Sequence, residues 1–267
     1  MTGHFTLPAE LAHSATEDAF LGGALSILQP KGGYRAGLDA VLLAASVPQD
    51  ARAVLDVGAG VGVVGLAVAR RLADARVTMI EREPELAALA RANIARNGLG
   101  QRVSLIEADI LKLPREDPGV GAADETFDHV LANPPYHVEG RGTAATDRAK
   151  AGSHAMAPGD LDRWVRCMVR MARPGGAATL IHRADALGDI LTALAGRFGG
   201  AIVLPIHPRE GEPASRVLVQ ARKGSRAPLQ LSAGLVLHNA DHSFRRDVDA
   251  ILRHGAALDL AKSPARP

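Results

Sequence analysis

Val54-Leu55-Asp56-Val57-Gly58-Ala59-Gly60-Val61-Gly62 is the stretch that decides the fold. The β-branched run Ala53–Val57 reads as a buried strand; it breaks at glycine, and residues 63–72 carry apolar side chains at helical spacing. Gly58 and Gly60 let the backbone turn sharply and approach a ligand where a Cβ would clash. Such a loop alone says little, because dinucleotide-binding sheets use it too. Asp56 discriminates: a carboxylate just before the first glycine repels a pyrophosphate but can pair with a cationic amino-acid moiety. The ligand expected there is a nucleoside carrying an ammonium or sulfonium group.

Outward from this turn, strands and helices alternate. Residues 77–81 predict a second strand and 84–97 a helix, with Pro84 in its first turn and Asn97-Gly98 as a left-handed stop. Val103–Glu107 and Phe127–Ala132 read as further strands. Asp160 is placed to cap a helix over 161–171, which ends at Arg173-Pro174-Gly175-Gly176. Strands at 178–182 and 202–205 flank a helix at 187–198, and 217–222 closes the core. This alternation implies right-handed crossovers and a mostly parallel, doubly wound sheet whose ligands bind at the carboxyl ends of the strands. Before this core, residues 24–28 read as a short strand.

Two more acids fall at such ends. Glu81 can accept both hydroxyls of a ribose, and Asp109 can accept from an adenine amino group with Ile110 packing on the ring. Three acids ending three successive strands, beside a glycine loop, make a coherent nucleoside site.

The fourth strand ends in Asn133-Pro134-Pro135-Tyr136. A strand cannot continue through two prolines, so the chain leaves the sheet stiffly, and Pro134 brings no N–H to compete for nearby carbonyls. Rigid acceptors suit one chemistry well. The amino nitrogen of adenine or of a glutamine amide is a poor nucleophile because its lone pair is delocalised. The Asn133 side-chain oxygen and the Pro134 carbonyl can each hold one amino hydrogen, which aims the lone pair for in-line attack. Tyr136 can stack on the flat acceptor.

Composition sets the class. The chain has 267 residues, 47% hydrophobic and 22% charged, as expected of one main domain of ordinary globular type. Its net charge of +2 neither opposes nor demands a polyanionic partner. No apolar run approaches the roughly 18 residues that span a membrane. Glu10, Glu17 and Asp18 argue against a signal peptide, and Cys167 as sole cysteine points to a reducing cytoplasm. Cys167 lies in an apolar helical pattern and reads as a buried packing residue. The ten histidines show no metal-ligand spacing, so no metal is expected. With aromatics at 3%, Tyr34, Tyr136 and Trp164 stand out as candidate stacking surfaces.

These residues resemble the class I S-adenosylmethionine-dependent methyltransferases, in the branch with an Asn-Pro-Pro-Tyr motif, over about residues 30–222. The resemblance implies a Rossmann-like, seven-stranded sheet with its last core strand antiparallel. It also implies S-adenosylmethionine as cofactor. Asp56, Gly58, Ala59 and Gly60 would hold its amino acid, Glu81 its ribose and Asp109 with Ile110 its adenine; Arg82 and Asn133 join the same set. Within the branch, Gly33-Tyr34-Arg35-Ala36-Gly37-Leu38-Asp39-Ala40-Val41-Leu42-Leu43 resembles the segment before the core in bacterial enzymes that N6-methylate adenosine 37 of valine tRNA. That segment is thought to close the cofactor pocket through Gly37 and Asp39, although Leu38 stands where a Thr is common. The stretch from Leu237-His238-Asn239 to Phe244-Arg245-Arg246 loosely resembles the tail of those enzymes.

Three segments follow from this: a cap at 1–50, the methyltransferase core at 51–223 and a packed tail at 224–267. The expected activity is N6-methylation of an unpaired adenine in tRNA, which must be turned out of its stack. His137, Arg141, Arg148 and Lys150, in the long stretch after the motif, are candidate substrate contacts. Arg209 and Arg216 are candidates for a basic edge, and Arg245, Arg246 and Arg253 read as a solvated helix face. Two alternatives use the same chemistry: glutamine N5-methylation of a protein, which goes with a larger helical N-terminal domain, and guanine N2-methylation of rRNA, more often with Phe in place of Tyr136. Whether the enzyme works as a monomer or homodimer is open at this level.

Overall fold

The computed structural model describes residues 8–32, 35–110, 124–135, 137–138, 155–156 and 159–261. Helix α1 (Ala9–His13) leads into the antiparallel hairpin β1 (Ala15–Phe20) and β2 (Leu25–Pro30), followed by α2 (Leu38–Ala45). The core continues with β3 (Ala53–Val57), α3 (Val63–Arg71), β4 (Arg76–Glu81), α4 (Pro84–Arg96), β5 (Val103–Glu107) and β6 (Phe127–Ala132). Next come β7 (His137–Val138), β8 (Ala155–Met156), α5 (Asp160–Met171), β9 (Ala172–Arg183), α6 (Leu187–Leu194), β10 (Phe198–His207) and β11 (Arg216–Lys223). The short strands β12 (Gln230–Leu231) and β13 (Leu235–Val236) and helix α7 (Arg246–His254) complete the described chain.

Among the described residues the main sheet runs β5-β4-β3-β6-β9-β11-β10, with β12 and β13 beyond β10. The strands from β5 to β9 are parallel, and β11 is antiparallel to both neighbours. This is the expected seven-stranded arrangement with its last core strand reversed. Strand order changes direction between β3 and β6, which makes their carboxyl ends the crevice where such sheets take ligands.

Several local readings change. Gly159, with φ +88°, holds the cap position of α5, and Asp160 is its first helical residue, beside Arg163. Strand β9 starts at Ala172, directly after α5, and absorbs residues 173–176 as an irregularity opposite β6 instead of ending in a loop. Cys167 is buried, as expected, and burial pushes its thiol up to about 11.

Segments before, within and after the core share one buried cluster. It joins Leu21, Leu25 and Ile27 to Val54, Leu66 and Met79 and to Val248, Ile251 and Leu260. Arg71 fastens the seam: its Nε donates to the Gly255 carbonyl at 3.0 Å and its Nη1 to that of Ala44 at 2.5 Å.

The hairpin is held by amides. Asn93 on α4 and Asn97 at its C-cap lie one turn apart, so both face β2. Asn93 accepts from the Leu28 N–H at 2.8 Å and donates to the Leu28 carbonyl at 3.0 Å. Asn97 does the same at Ser26, at 3.0 and 2.8 Å. The two side chains thus act as a substitute strand along the edge of β2, satisfying backbone groups that would otherwise be costly to bury. Asn93, wholly buried, also donates to the Val61 carbonyl at 2.9 Å, which ties the hairpin to the glycine loop.

Candidate functional site

Register aligns the strand ends. Val57 of β3 pairs with Ile80 of β4 on one side and with Ala132 of β6 on the other. The next residues, Glu81, Gly58 and Asn133, therefore leave three neighbouring strands side by side. Glu81 pairs in turn with Glu107, the last residue of β5, and Asp109 and Ile110 follow. The predicted acids, glycine loop and Asn-Pro-Pro motif thus converge on one edge of the sheet.

The loop between β3 and α3 is pinned to the end of β4. The Ala59 N–H donates to the Ile80 carbonyl at 2.9 Å, and the Gly60 N–H to Glu81 Oε2 at 2.7 Å. Glu81 Oε1 accepts from the N–H groups of Arg82 and Glu83 at 2.8 and 2.9 Å. This buried carboxylate therefore fixes the turn as well as facing it. Arg82 is exposed and pairs with Glu83.

Asp56 lies beneath the loop, 1% exposed, and accepts from the Gly65 N–H in the first turn of α3 at 2.9 Å. Burial pushes its carboxyl up to about 7; the Gly65 N–H opposes this and the charge of Glu81 adds to it. A nearby cation would lower this pKa again and favour the ionised carboxylate.

Gly58 and Gly60 require glycine for different reasons. At Gly58, φ is +68° and a Cβ would lie 2.3 Å from Cη2 of Trp164 on α5. At Gly60, φ is +58° but nothing lies within 4 Å of a Cβ, so the space above it is open for a ligand to approach the backbone. Trp164 is thus no open stacking surface: 9% exposed, it packs under the loop and fixes its height.

Asn133 is half-buried, Pro134 buried and Pro135 half-buried. A residue preceding proline is confined to extended backbone, which fixes the direction in which Asn133 leaves the sheet. Tyr136 lies outside the described residues, as do Tyr34, Arg141, Arg148 and Lys150; of His137 only the backbone, in β7, is described. Strand β7 pairs in parallel with β8, which brings the two ends of the stretch after the motif together. Gly37 is exposed at the start of α2, and Asp39 accepts from Arg216 Nε at 3.0 Å. Arg209 pairs with Glu212. These two arginines therefore serve local ion pairs on the same edge of the sheet. Ile110 packs against the core beside Ala108 and Ile106.

The profile of the methyltransferase small domain matches residues 36–159. The tRNA1(Val) (adenine(37)-N6)-methyltransferase of Shewanella sp. (strain W3-18-1) is 30% identical over 188 residues, which are 70% of this chain and 76% of that protein. The chain belongs to the S-adenosylmethionine-dependent methyltransferases. The Aeromonas hydrophila protein of the same name matches this methyltransferase at 30% identity over 79% of the chain and 85% of its own length. A crystal structure from Agrobacterium tumefaciens, titled a predicted O-methyltransferase, superposes with a TM-score of 0.70 at 36% identity, covering 83% of this chain and 98% of that one. Among the described residues of the methyltransferase, no helix is long and apolar enough to cross a membrane.

Two participants were not legible beforehand. Asn93 reads as an ordinary helix residue, yet it carries a carbonyl of the glycine loop. Trp164 reads as a surface aromatic, yet it sets the loop's only permissible residue at 58.

Proposed function

We propose that this methyltransferase N6-methylates an unpaired adenine in tRNA, adenosine 37 of valine tRNA being the candidate target. The observation that carries the reading is the register that sets Asn133-Pro134 beside Gly58, on the edge where the glycine loop and the acids meet. The open space above Gly60 and the carboxylates at the ends of β3 and β4 fit S-adenosylmethionine. Asp56 and the loop would hold its amino acid, Glu81 its ribose, and Asp109 with Ile110 its adenine, while Gly37 and Asp39 close the pocket from the side of α2. The cofactor supplies an electrophilic methyl group.

The chain's own residues prepare the acceptor. The Asn133 side-chain oxygen takes one amino hydrogen and the Pro134 carbonyl the other, so the nitrogen turns its lone pair toward the methyl. Neither group removes a proton before attack; the proton leaves afterwards. Such acceptors suit an NH2 with two hydrogens and not a hydroxyl, which needs a base. Tyr136 supports the base by stacking, and His137, Arg141, Arg148 and Lys150 meet the RNA beyond it. The curated relatives named for tRNA adenine methylation support this substrate over a protein amide.

Nucleoside mass spectrometry of tRNA from a deletion strain is the direct test. N6-methyladenosine should vanish from the valine fraction and return on complementation; its persistence would overturn the substrate.

Asp56 gives a pH prediction. Between about pH 4 and 7 the folded chain holds a proton there that the unfolded chain has released. The site's contribution to stability in the cofactor-free protein therefore falls as pH rises through that window and is level above it. A cationic ligand needs the ionised form, so cofactor affinity should rise from pH 6 to pH 8, by up to about tenfold per pH unit below 7. Calorimetric titration should show this slope in the native protein. In Asp56→Asn binding should be weaker and this increment lost; an identical slope in the variant would remove Asp56 from cofactor binding.

A further inference from the structure

Strand β10 is antiparallel to β11, and β11 is antiparallel to β9, so the carboxyl end of β10 lies on the same sheet edge as Asn133. Three strand spacings separate β10 from β6, a lateral span of about 15 Å. A built loop occupies that end. The Leu237 N–H donates to the His207 carbonyl at 2.9 Å and the His238 N–H to that of Pro208 at 3.1 Å. His238 bridges in antiparallel fashion to Phe244, and Asn239 closes the turn onto Ser243 at 2.9 Å. Asp241 accepts from the backbone and the hydroxyl of Ser243 at 3.0 and 2.6 Å. The loop is fixed before any ligand arrives.

What it presents is an aromatic ring. Phe244 stacks on His238 with centroids 4.8 Å apart and planes 26° from parallel, yet remains 37% exposed. It is the one exposed aromatic of large apolar type among the described residues. The chain beside it carries Arg245 and Arg246 but also Asp241 and Asp247, and Arg209 and Arg245 are paired with Glu212 and Glu210. Charge on this patch nearly cancels, so it is the ring that distinguishes it.

We infer that Phe244, stacked on His238, is a platform for a second, unmethylated base of the RNA whose target adenine enters at Asn133. This rests on the tRNA reading above and extends it to a substrate-recognition site. A single-stranded loop can hand one base to the crevice and lay a neighbour on a pre-ordered ring some strands away. Aromatic stacking tolerates any base, so the platform contributes affinity and register without reading sequence.

The test measures binding of unmodified, fluorescently labelled valine tRNA transcript by anisotropy, beside steady-state methyl transfer. Phe244→Ala should weaken binding by about 5- to 100-fold and raise KM for tRNA in step, with kcat at saturation and cofactor affinity unchanged. The slope of log Kd against log salt should stay the same, because no phosphate contact is lost. Phe244→Trp should bind as native or tighter, which separates stacking from damage to the loop. Equal affinity in Phe244→Ala and the native protein overturns the platform and leaves the tRNA reading intact, as does a changed salt slope. A native protein that neither binds nor methylates tRNA overturns both. If the native chain is a dimer that Phe244→Ala dissociates, the ring is a subunit contact and the inference fails.

Discussion

Asn133→Ala is expected to lose methyl transfer by about 10²- to 10³-fold or more in kcat while cofactor affinity stays within a few fold. The side chain stands at the end of β6, next to the glycine loop but not part of it. On the proposed mechanism, removing it deletes an acceptor for the amino group, while the bonds that pin the loop, Gly60 to Glu81 and Gly65 to Asp56, do not involve it. The loss should therefore appear at saturating concentrations of both substrates. Asn133→Asp keeps an acceptor oxygen and should retain a measurable rate, which separates hydrogen-bond acceptance from shape. Transfer of a tritiated methyl group, run beside calorimetric cofactor titration, reads both effects; full activity in Asn133→Ala would end the mechanism.

Gly58→Ala should instead abolish cofactor binding, with affinity falling by at least about 100-fold. Two costs coincide. A left-handed φ of +68° costs an alanine about 1–2 kcal/mol, and its Cβ would sit 2.3 Å from Trp164 Cη2. The indole cannot retreat cheaply, because it is packed with Val57, Val165 and Met168 in one buried cluster. The loop must lift, and the cofactor loses the surface shaped for it. Combining Gly58→Ala with Trp164→Leu removes the clash and leaves only the backbone strain, so affinity should recover in part. Cofactor titration of the two single variants and the double one gives the coupling. An affinity in the double variant no better than in Gly58→Ala alone would show that the indole does not set the loop.

The parts of the fold legible in the sequence are those where one residue type has one use. Buried parallel strands such as Ala53–Val57 and Phe127–Ala132 show as β-branched or apolar runs, and the strand-end acids and prolines stand out against them. What stayed hidden depends on partners remote in sequence. Strand β1 carries Glu17 and Asp18 in a pattern no local rule assigns to a sheet; its reason is β2 across the turn, with Arg96 and Arg35 paired to those acids. Asn93 and Asn97 look like helix-surface residues until β2 lies alongside. A buried His129 in β6, hydrogen-bonded to Thr179 and through it to Gln220, is likewise invisible before β9 and β11 are aligned. The strand-end position of Asn133 was legible because two prolines mark it locally; the placing of Trp164 was not, because an indole on α5 carries no mark of the glycine it lies beneath.

The amide clamp on β2 also sets a timetable. Leu28 leaves the ribosome 65 residues ahead of Asn93, which holds it in that clamp, a lead of about 3 to 13 s at 5–20 residues per second. During that interval the outer edge of β2 is an unpaired strand on a nascent chain. The seam that Arg71 makes with Gly255 closes later still, 184 residues apart in sequence. Biogenesis of this enzyme therefore leaves the edge of its first hairpin open for wrong pairing until α4 has been made, most of all when many copies are translated at once.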